Sequence, residues 1–194
     1  ILGVIGLPLA HWLNITRTRF APFLETLVTL PVVLPPTVIG FYVLVGLSPQ
    51  HPPGSWWRDL TGQPLVFTFT GLVVASVFYS LPFAVQPFQA ALRAVPRDLL
   101  DAGQALGAGP VRVFLRLHLP LARRGITAGL TLGFAHTLGE FGVVLMVGGN
   151  IEGETRTLSV SLYDKVQGMD LQSAHVMALA LVAISLLALS LVLA

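Results

Sequence analysis

Residues 101–121 read "DAGQALGAGPVRVFLRLHLPL". The stretch lies between long apolar runs, yet it carries Asp101, Arg112 and Arg116, with glycines at 103, 107 and 109. Just upstream, "VPRDLLDAGQALG" spaces Leu99, Leu100, Ala102, Ala105 and Leu106 as a helix would. Pro96 suits a first helical position, because its missing N–H has no partner there anyway. Gly107 suits the left-handed cap after a last turn. Pro110 then opens a second helix, "PVRVFLRLHL", with Arg112 and Arg116 four apart on one face. Pro120 is expected to limit its extension. The stretch predicts helix, tight turn, helix. Such an amphipathic hairpin fits a groove in a partner protein or an interfacial position on lipid.

The flanking sequence decides what carries this hairpin. No Asp, Glu, Lys or Arg occurs between Glu25 and Arg58, between Asp59 and Arg93, or after Asp170. The run from Gly125 to Ile151 holds one charge, Glu140. Each run exceeds the roughly 20 residues that span hydrocarbon. Charged residues are 10% of the chain, against about 25% in soluble domains. The fold class is therefore an all-α polytopic membrane protein. A β-barrel would alternate apolar and polar residues in segments of about ten. About five spans are expected, near 1–15, 22–47, 64–88, 125–148 and 172–194, in a single domain over 1–194. The first span reads as truncated, because the chain starts inside "ILGVIGLPLAHWL" and ends inside "SLLALSLVLA". No basic leader with a small-residue cleavage site marks a signal peptide.

The connections are 16–21, 48–63, 89–124 and 149–171. Eight of the eleven Lys and Arg fall in the first and third: Arg17, Arg19, Arg93, Arg97, Arg112, Arg116, Arg123 and Arg124. The other side holds Arg58, Arg156 and Lys165, offset by Asp59, Glu152, Glu154, Asp164 and Asp170. The positive-inside rule then places 89–124 in the cytoplasm. The net charge of +2 is a signal of topology and does not point to nucleic acid. Trp56 and Trp57 suit the outer interface. In "TRTLSVSLYDKV", Leu158, Leu162 and Val166 predict a short helix, either at the outer mouth or as an ordinary surface helix.

Inside the spans, Pro31, Pro35 and Pro36 predict kinked backbone, which serves either a structural bend or a cavity wall. Gly125, Gly129 and Gly133 recur on one helix face and predict close helix packing before any pathway role. Glu140 is the acid inside a span, and His136 precedes it by one helical turn. Two readings are open: a polar pair that ties helices together, or a gate in a solute pathway. His and Glu alone supply too few ligands for a metal site. A carboxylate repels an oxyanion, so Glu140 is expected to act through structure, as hydrogen-bond acceptor or ion-pair partner. Oxyanion passage would use backbone N–H groups, hydroxyls and helix N-termini, with Thr37 and Thr137 as candidates. His11, His51, His118 and His175 are assigned no chemistry. The chain lacks cysteine, which excludes disulfides and thiolate metal sites. It also lacks a phosphate-binding G-x-x-x-x-G-K-[ST] loop and a recognisable hydrolase pattern. It reads as a non-catalytic subunit with no catalytic or metal-binding residues of its own.

The hairpin also resembles the loop shared by permease subunits of bacterial ABC importers. That pattern runs Glu-Ala-Ala, three residues, Gly, nine residues, Ile, one residue, Leu-Pro. Here Asp101, Ala102 and Gly103 are followed by Gly107, Leu117, Leu119 and Pro120 at the same spacing. Asp replaces Glu, Gly replaces the second Ala, and Leu replaces Ile. Gly103 is expected to loosen the helix by up to ~1 kcal/mol relative to Ala. In that family the loop forms coupling helices that dock on the ATP-hydrolysing subunit. The resemblance implies that Asp101 anchors one end while Ala102, Gly103 and Leu106 pack into the ATPase groove.

A second stretch is similar to the molybdate permeases of that family. Gly139-Glu140-Phe141-Gly142 carries the likeness, with Asn150-Ile151 and Gly153-Glu154-Thr155-Arg156-Thr157, and "LPVVLPPTVIGFYVL" extends it. The resemblance implies a pore subunit importing molybdate, with tungstate a further substrate. Sulfate and thiosulfate permeases share much of the pattern. An ion-gradient transporter would show internal repeats, and none are visible. The implied assembly pairs this chain with a second copy, two ATPase subunits and an extracytoplasmic substrate-binding protein, in a bacterial or archaeal cell membrane. The chain itself would bind no cofactor; ATP and Mg would be used by the ATPase. Pathway or gate residues would be Thr37, His136, Thr137, Gly139, Glu140, Phe141 and Gly142.

Overall fold

The computed structural model describes residues 1–16 and 18–193, the last three by backbone only. Arg17, one of the topology-setting arginines, lies outside the described residues. The described residues of the long apolar runs are helical apart from short breaks, and the span expected over 64–88 is helical from Phe69 to Arg93. A bilayer core offers no water to backbone N–H and C=O groups, so a crossing segment must satisfy them within itself.

Helix α1 spans Leu2–Ile15, α2 Ala21–Val33, α3 Pro36–Leu47, α4 Gly54–Thr61 and α5 Phe69–Arg93. Helix α6 spans Arg97–Ala105 and α7 Pro110–Val113; α8 is Leu119–Gly139, α9 Gly142–Gly148, α10 Leu158–Gln167 and α11 Leu171–Leu193. Helices α5 and α11 are each long and apolar enough to cross a membrane. The pair α2–α3, and the α7–α8 helix with α9, qualify as two further passes if each bent pair is counted as one. Helix α1 is a shorter apolar helix of 14 residues.

The expected span 22–47 is two helices meeting at 118°. Pro35 and Pro36 supply no N–H, and a residue before proline is pushed out of the α region. Leu34 (ψ 145) and Pro35 (ψ 137) are accordingly extended. The expected span 125–148 is also broken, by 59° at Glu140 and Phe141. Glu140 adopts ψ 130, and glycines 139 and 142 flank the break. No proline marks this second break, so it left no such signal in the sequence. Residues 54–61, expected as loop, form α4, which ends on Gly62 at φ +75.

Helix α5 is the axis of the bundle. Thr68 caps it by accepting the Gly71 N–H at 3.2 Å. It runs on through Pro82 and Pro87. Its Ala84, Val85 and Phe88 are fully buried and pack with Ala10 and Leu13 of α1 and with Ala122 and Ile126 of α8. The expected glycine face of α8 makes this contact. A β-carbon on Gly125 would stand 2.5 Å from Ala91, and one on Gly129 2.8 Å from Phe88. A second cluster joins Ile39 and Leu47 of α3 to Ala75 and Tyr79 of α5 and Val143 and Val147 of α9. The second members of the two bent pairs, α3 and α9, thus pack on the same half of α5, while α2 and α8 pack on the other.

Candidate functional site

The helical hairpin forms as its sequence predicts. Helix α6 ends in a paired-bond cap: Gly107 N–H donates to Gln104 O at 2.9 Å, and Ala108 N–H to Gly103 O at 3.2 Å. Gly107 takes φ +82 with open space around it, the left-handed geometry of such a cap. Pro96 stands one residue earlier than expected, as the N-cap of α6 rather than its first helical residue.

Two expectations about the hairpin are corrected. The second helix does not stop near Pro120. It passes through a π-helical turn, Phe114–His118, directly into α8. Pro120 cannot donate to an upstream carbonyl and its ring crowds the preceding turn. A widened turn accommodates this, and Leu119 N–H bonds to Phe114 O in the i→i−5 pattern. Nor does Gly103 face outward. It is buried against Leu117, whose Cδ1 would lie 2.5 Å from an added β-carbon, with Val113 behind it. Leu117 closes the hairpin on itself, and Leu119 packs on the α1–α5–α8 cluster. Asp101, Ala102, Leu106 and Gly107 are exposed, Leu106 at 90%. The matched motif therefore splits into an outward set and an inward set that shapes the hairpin.

The second group lies at the break between α8 and α9. A cavity of about 490 Å³ is lined by Pro36, Thr37, Tyr79, Ala135, His136, Gly139, Glu140, Phe141 and Gly142. Six of the seven expected pathway residues meet here. Thr137 faces away: its hydroxyl donates to Gly133 O at 2.8 Å and lies 2.9 Å from the Ser80 hydroxyl. It ties α8 to α5. Thr37 stands in the first turn of α3. Gly142 lies against Pro36, at 2.9 Å for an added β-carbon, so the starts of α3 and α9 touch.

Of the two roles expected of Glu140, the ion pair is not made among the described residues, and as an acceptor it is left with the Ser76 hydroxyl of α5. The residue is 4% exposed, and no group other than Ser76 approaches its carboxyl oxygens as a hydrogen-bond partner. Its backbone carbonyl makes the tie instead, accepting from Ser159 Oγ of α10 at 2.6 Å. The break supplies that carbonyl, since Glu140 has left the helix. His136 stacks on Phe83, with centroids 3.6 Å apart at 17°, and packs at 5.0 Å on Tyr79. Its Nε2 is buried without a partner.

The Asn150–Thr157 run, which carried much of the sequence likeness, builds a self-bonded loop. Thr155, 2% exposed, donates to Gly148 O at 2.6 Å and accepts from Ile151 N–H at 3.0 Å. Asn150 sits at φ +56, donates to Asp164 at 2.7 Å and accepts from Arg156 at 2.9 Å. Thr157 caps α10, the helix expected over Leu158, Leu162 and Val166. Phe141 rests on Tyr163 of α10, 4.7 Å between centroids. The loop thus holds α10 against the break.

Two polar groupings escaped the sequence reading. Arg93 donates to Asn14 at 2.6 Å and Glu25 at 3.2 Å, Gln89 donates to Glu25 at 3.3 Å, and Asn14 donates to Gln89 O at 3.2 Å. This clasp joins α1, α2 and the end of α5 that leads into the hairpin. His118, assigned no chemistry, is buried on the π turn with Nε2 2.9 Å from Leu92 O. Leu92 O would otherwise accept the N–H four residues on, which Pro96 lacks. The pairing of a proline with a distant histidine was the available signal, but no spacing rule connects them.

Residues 3–194 match the family described as binding-protein-dependent transport system inner membrane component. The chain is 50% identical over 189 residues to the molybdenum transport system permease protein ModB of Azotobacter vinelandii, covering 97% of this chain and 84% of that protein. It is 39% identical over 144 residues to ModB of Escherichia coli K12, covering 74% of this chain and 63% of that one. Among solved structures it is similar to an inward-facing MetNI methionine ABC transporter, with TM-score 0.70 and 19% identity over 98% of this chain and 84% of that chain. It is also similar to a bacterial ABC transporter involved in import of the acidic polysaccharide alginate, with TM-score 0.67 and 19% identity over 97% and 68%. At that identity the structural likenesses speak to the fold alone.

Proposed function

The chain belongs to the binding-protein-dependent transport system inner membrane component family, and on that premise we propose that it is the pore-forming subunit of an ATP-driven importer of molybdate. The observation that carries the substrate is the 50% identity to a molybdenum permease over nearly the whole chain. Tungstate, of the same shape and charge, is a further substrate. The subunit catalyses nothing itself. It works with a second copy of itself, two ATPase subunits that use ATP and Mg, and an extracytoplasmic binding protein.

The geometry supports this division of labour. The hairpin presents Asp101, Ala102, Leu106 and Gly107 outward as the ATPase contact. Gly103, Leu117, Leu119 and Pro120 act behind it, by joining the hairpin to α8 without an interruption in the helix. A push on the hairpin is thereby passed along α8 to the break at Glu140. The arginine excess at this end of the bundle supports a cytoplasmic position. The solute pathway passes the cavity where α3 begins and α8 breaks. Thr37 offers a hydroxyl and a first-turn N–H there, the groups an oxyanion needs. His136, Gly139, Glu140, Phe141 and Gly142 shape the gate beside it. Thr137 supports the gate from α5.

Uptake of radiolabelled molybdate into vesicles holding the whole complex tests the reading, with sulfate in excess as competitor. Uptake that persists supports molybdate. Equal competition by sulfate would assign the chain to sulfate or thiosulfate import. Purification without an accompanying ATPase would point to an ion-gradient transporter.

A further inference from the structure

Arg116, Pro120, Arg123, Thr127, Leu130 and Phe134 follow one another at alternating steps of four and three, and all are exposed. That spacing puts them on one face of the helix that runs from the π turn into α8. The opposite face, with Ala122, Ile126, Gly129 and Gly133, is buried against the rest of the bundle. The exposed stripe changes character along its length. At the hairpin end it is basic, with exposed Arg124 beside Arg123. Past Arg124 it enters the apolar run. Thr127 adds no free donor there, because its hydroxyl donates to Arg124 O at 2.8 Å. Leu130 and Phe134 then form one side of a groove of about 400 Å³, bounded by Leu2 of α1 and by Phe69, Val73 and Val77 of α5.

The ion pairs among the described residues use Arg58, Arg93, Arg156 and Lys165 as their cations. None uses Arg116, Arg123 or Arg124, and Glu25, at the same end of the bundle, is already taken by Arg93. The stripe thus carries uncompensated positive charge where the apolar run begins. Whatever covers it has to be anionic at one end and apolar at the other. A free oxyanion gains nothing from Leu130, Phe134 or the groove. An ATPase docked on the hairpin from the aqueous side does not reach into the apolar run. A second copy packed by twofold symmetry on this face would set Arg123 against Arg123, which is repulsive. A phospholipid with an anionic headgroup satisfies both ends. Basic side chains at the membrane edge attract such headgroups, and the groove accepts an acyl chain. From Arg123 to Phe134 the helix rises about 16 Å, which matches the ~15 Å hydrocarbon depth of one leaflet. We propose that an anionic phospholipid of the leaflet on the hairpin side binds along this stripe, its phosphate held by Arg123 between Arg116 and Arg124, and one acyl chain laid on Leu130 and Phe134.

The site rests on the membrane-spanning fold and not on the molybdate reading. Arg116 belongs to the π turn and Arg123 to α8. A headgroup between them ties the root of the hairpin to the membrane surface.

The test uses the whole complex in phosphatidylcholine vesicles that carry a small share of spin-labelled phosphatidylglycerol or, separately, spin-labelled phosphatidylcholine. The immobilised fraction of the label reports lipid held by the protein. The anionic lipid is expected to be held preferentially, and Arg116→Gln combined with Arg123→Gln to reduce that preference at least about tenfold. Arg58→Gln, in α4, is expected to leave it unchanged. Equal immobilisation of the two lipids by the native complex overturns the proposal, as does an unchanged preference in the double Gln variant. Glycerol phosphate in excess is expected to leave the preference intact. Its loss would mean that the arginines take a free phosphate, and would overturn the lipid site. A second measurement keeps every charge. The chain has no cysteine, so Thr127→Cys gives it one position for a fluorophore. Brominated phosphatidylglycerol is expected to quench that fluorophore more than brominated phosphatidylcholine, and equal quenching overturns the proposal. A disulfide between two copies of the Thr127→Cys variant would put a second chain on the stripe and overturn it as well.

Discussion

Gly103 of α6 and Leu117 of the π turn meet so closely that a β-carbon on the glycine would stand 2.5 Å from the leucine Cδ1. This contact sets how far the hairpin closes. Helix propensity alone favours alanine over glycine by ~1 kcal/mol. Packing opposes it, because an added methyl in a filled site costs roughly 1–3 kcal/mol. Gly103→Ala is therefore expected to destabilise the complex by about 1 kcal/mol net. Gly103→Ala combined with Leu117→Ala should recover part of that loss. Thermal unfolding of the purified complex checks both, and a more stable Gly103→Ala variant would remove the packing argument.

His118 gives the second prediction. Its imidazole Nε2 lies 2.9 Å from Leu92 O, which accepts the Val95 N–H besides only at a long 3.4 Å. His118→Phe keeps an aromatic ring and removes the donor. Loss of one hydrogen bond to a carbonyl that keeps a second, longer one costs about 0.5–1.5 kcal/mol. Hydrogen exchange is expected to rise at the end of α5 and across the π turn, while α11 stays unchanged. Uniform exchange across the chain would show that the bond does not matter locally.

Much of the architecture was legible, and the limits have physical causes. The apolar runs located α5, α11 and the two bent pairs, two to four passes where about five were expected, because only helices satisfy their backbone in lipid. The bend between α2 and α3 was announced by Pro35 and Pro36. The break at Glu140 had no such residue; it depends on Ser159 from α10 accepting the role of holding its carbonyl, a contact across 19 positions. The motif at 101–120 gave the hairpin but not its facing. Whether Gly103 points out or in depends on where Leu117 falls after the π turn, and helical periodicity of 3.6 does not include that extra residue. The polar clasp of Asn14, Glu25, Gln89 and Arg93 joins three helices, and no short pattern links such distant positions.

That clasp supplies the third prediction. Arg93 and Glu25 are both about half exposed, so their pair adds only ~0–1 kcal/mol to stability. Its effect should show in geometry at the root of the hairpin. Arg93→Glu is expected to leave the complex folded but lower transport per ATP hydrolysed. The double exchange Arg93→Glu with Glu25→Arg should restore part of it. Failure of the exchange to restore coupling would make Arg93 important for its charge toward lipid or partner, and not for the clasp.

Asp170 gives a pH dependence outside the spans. The Ser173 hydroxyl and N–H at the start of α11, with Lys165, hold its carboxyl below the usual carboxylate range. A group lowered on folding contributes stability that is present above its unfolded value and lost as pH falls through its folded value. Stability of the native protein should thus fall on acidification below the ordinary carboxylate range, and Asp170→Asn should flatten that part of the profile. Identical profiles for both would show that Asp170 is not the titrating group.

The hairpin's outward residues carry the last prediction. Gly107 has open space around it, so substitution there meets no clash. Its constraint is the backbone at φ +82, which a β-branched residue resists at a cost of order 1–3 kcal/mol. Asn tolerates that region better than Val. Gly107→Val should unseat the turn between α6 and α7, while Gly107→Asn should preserve it. Asp101 is exposed and makes no ion pair among the described residues, so Asp101→Lys should leave the permease fold unchanged and affect only a partner. The measurement is copurification of the ATPase with each variant, together with ATP hydrolysis stimulated by the loaded binding protein. Gly107→Val and Asp101→Lys are expected to lose at least about tenfold in stimulated hydrolysis, with Gly107→Asn close to native. All three variants should insert normally, because neither position lies in an apolar run. Normal copurification and stimulation in both the Val and Lys variants would show that the ATPase docks elsewhere, and that the exposed face of α6 serves another contact.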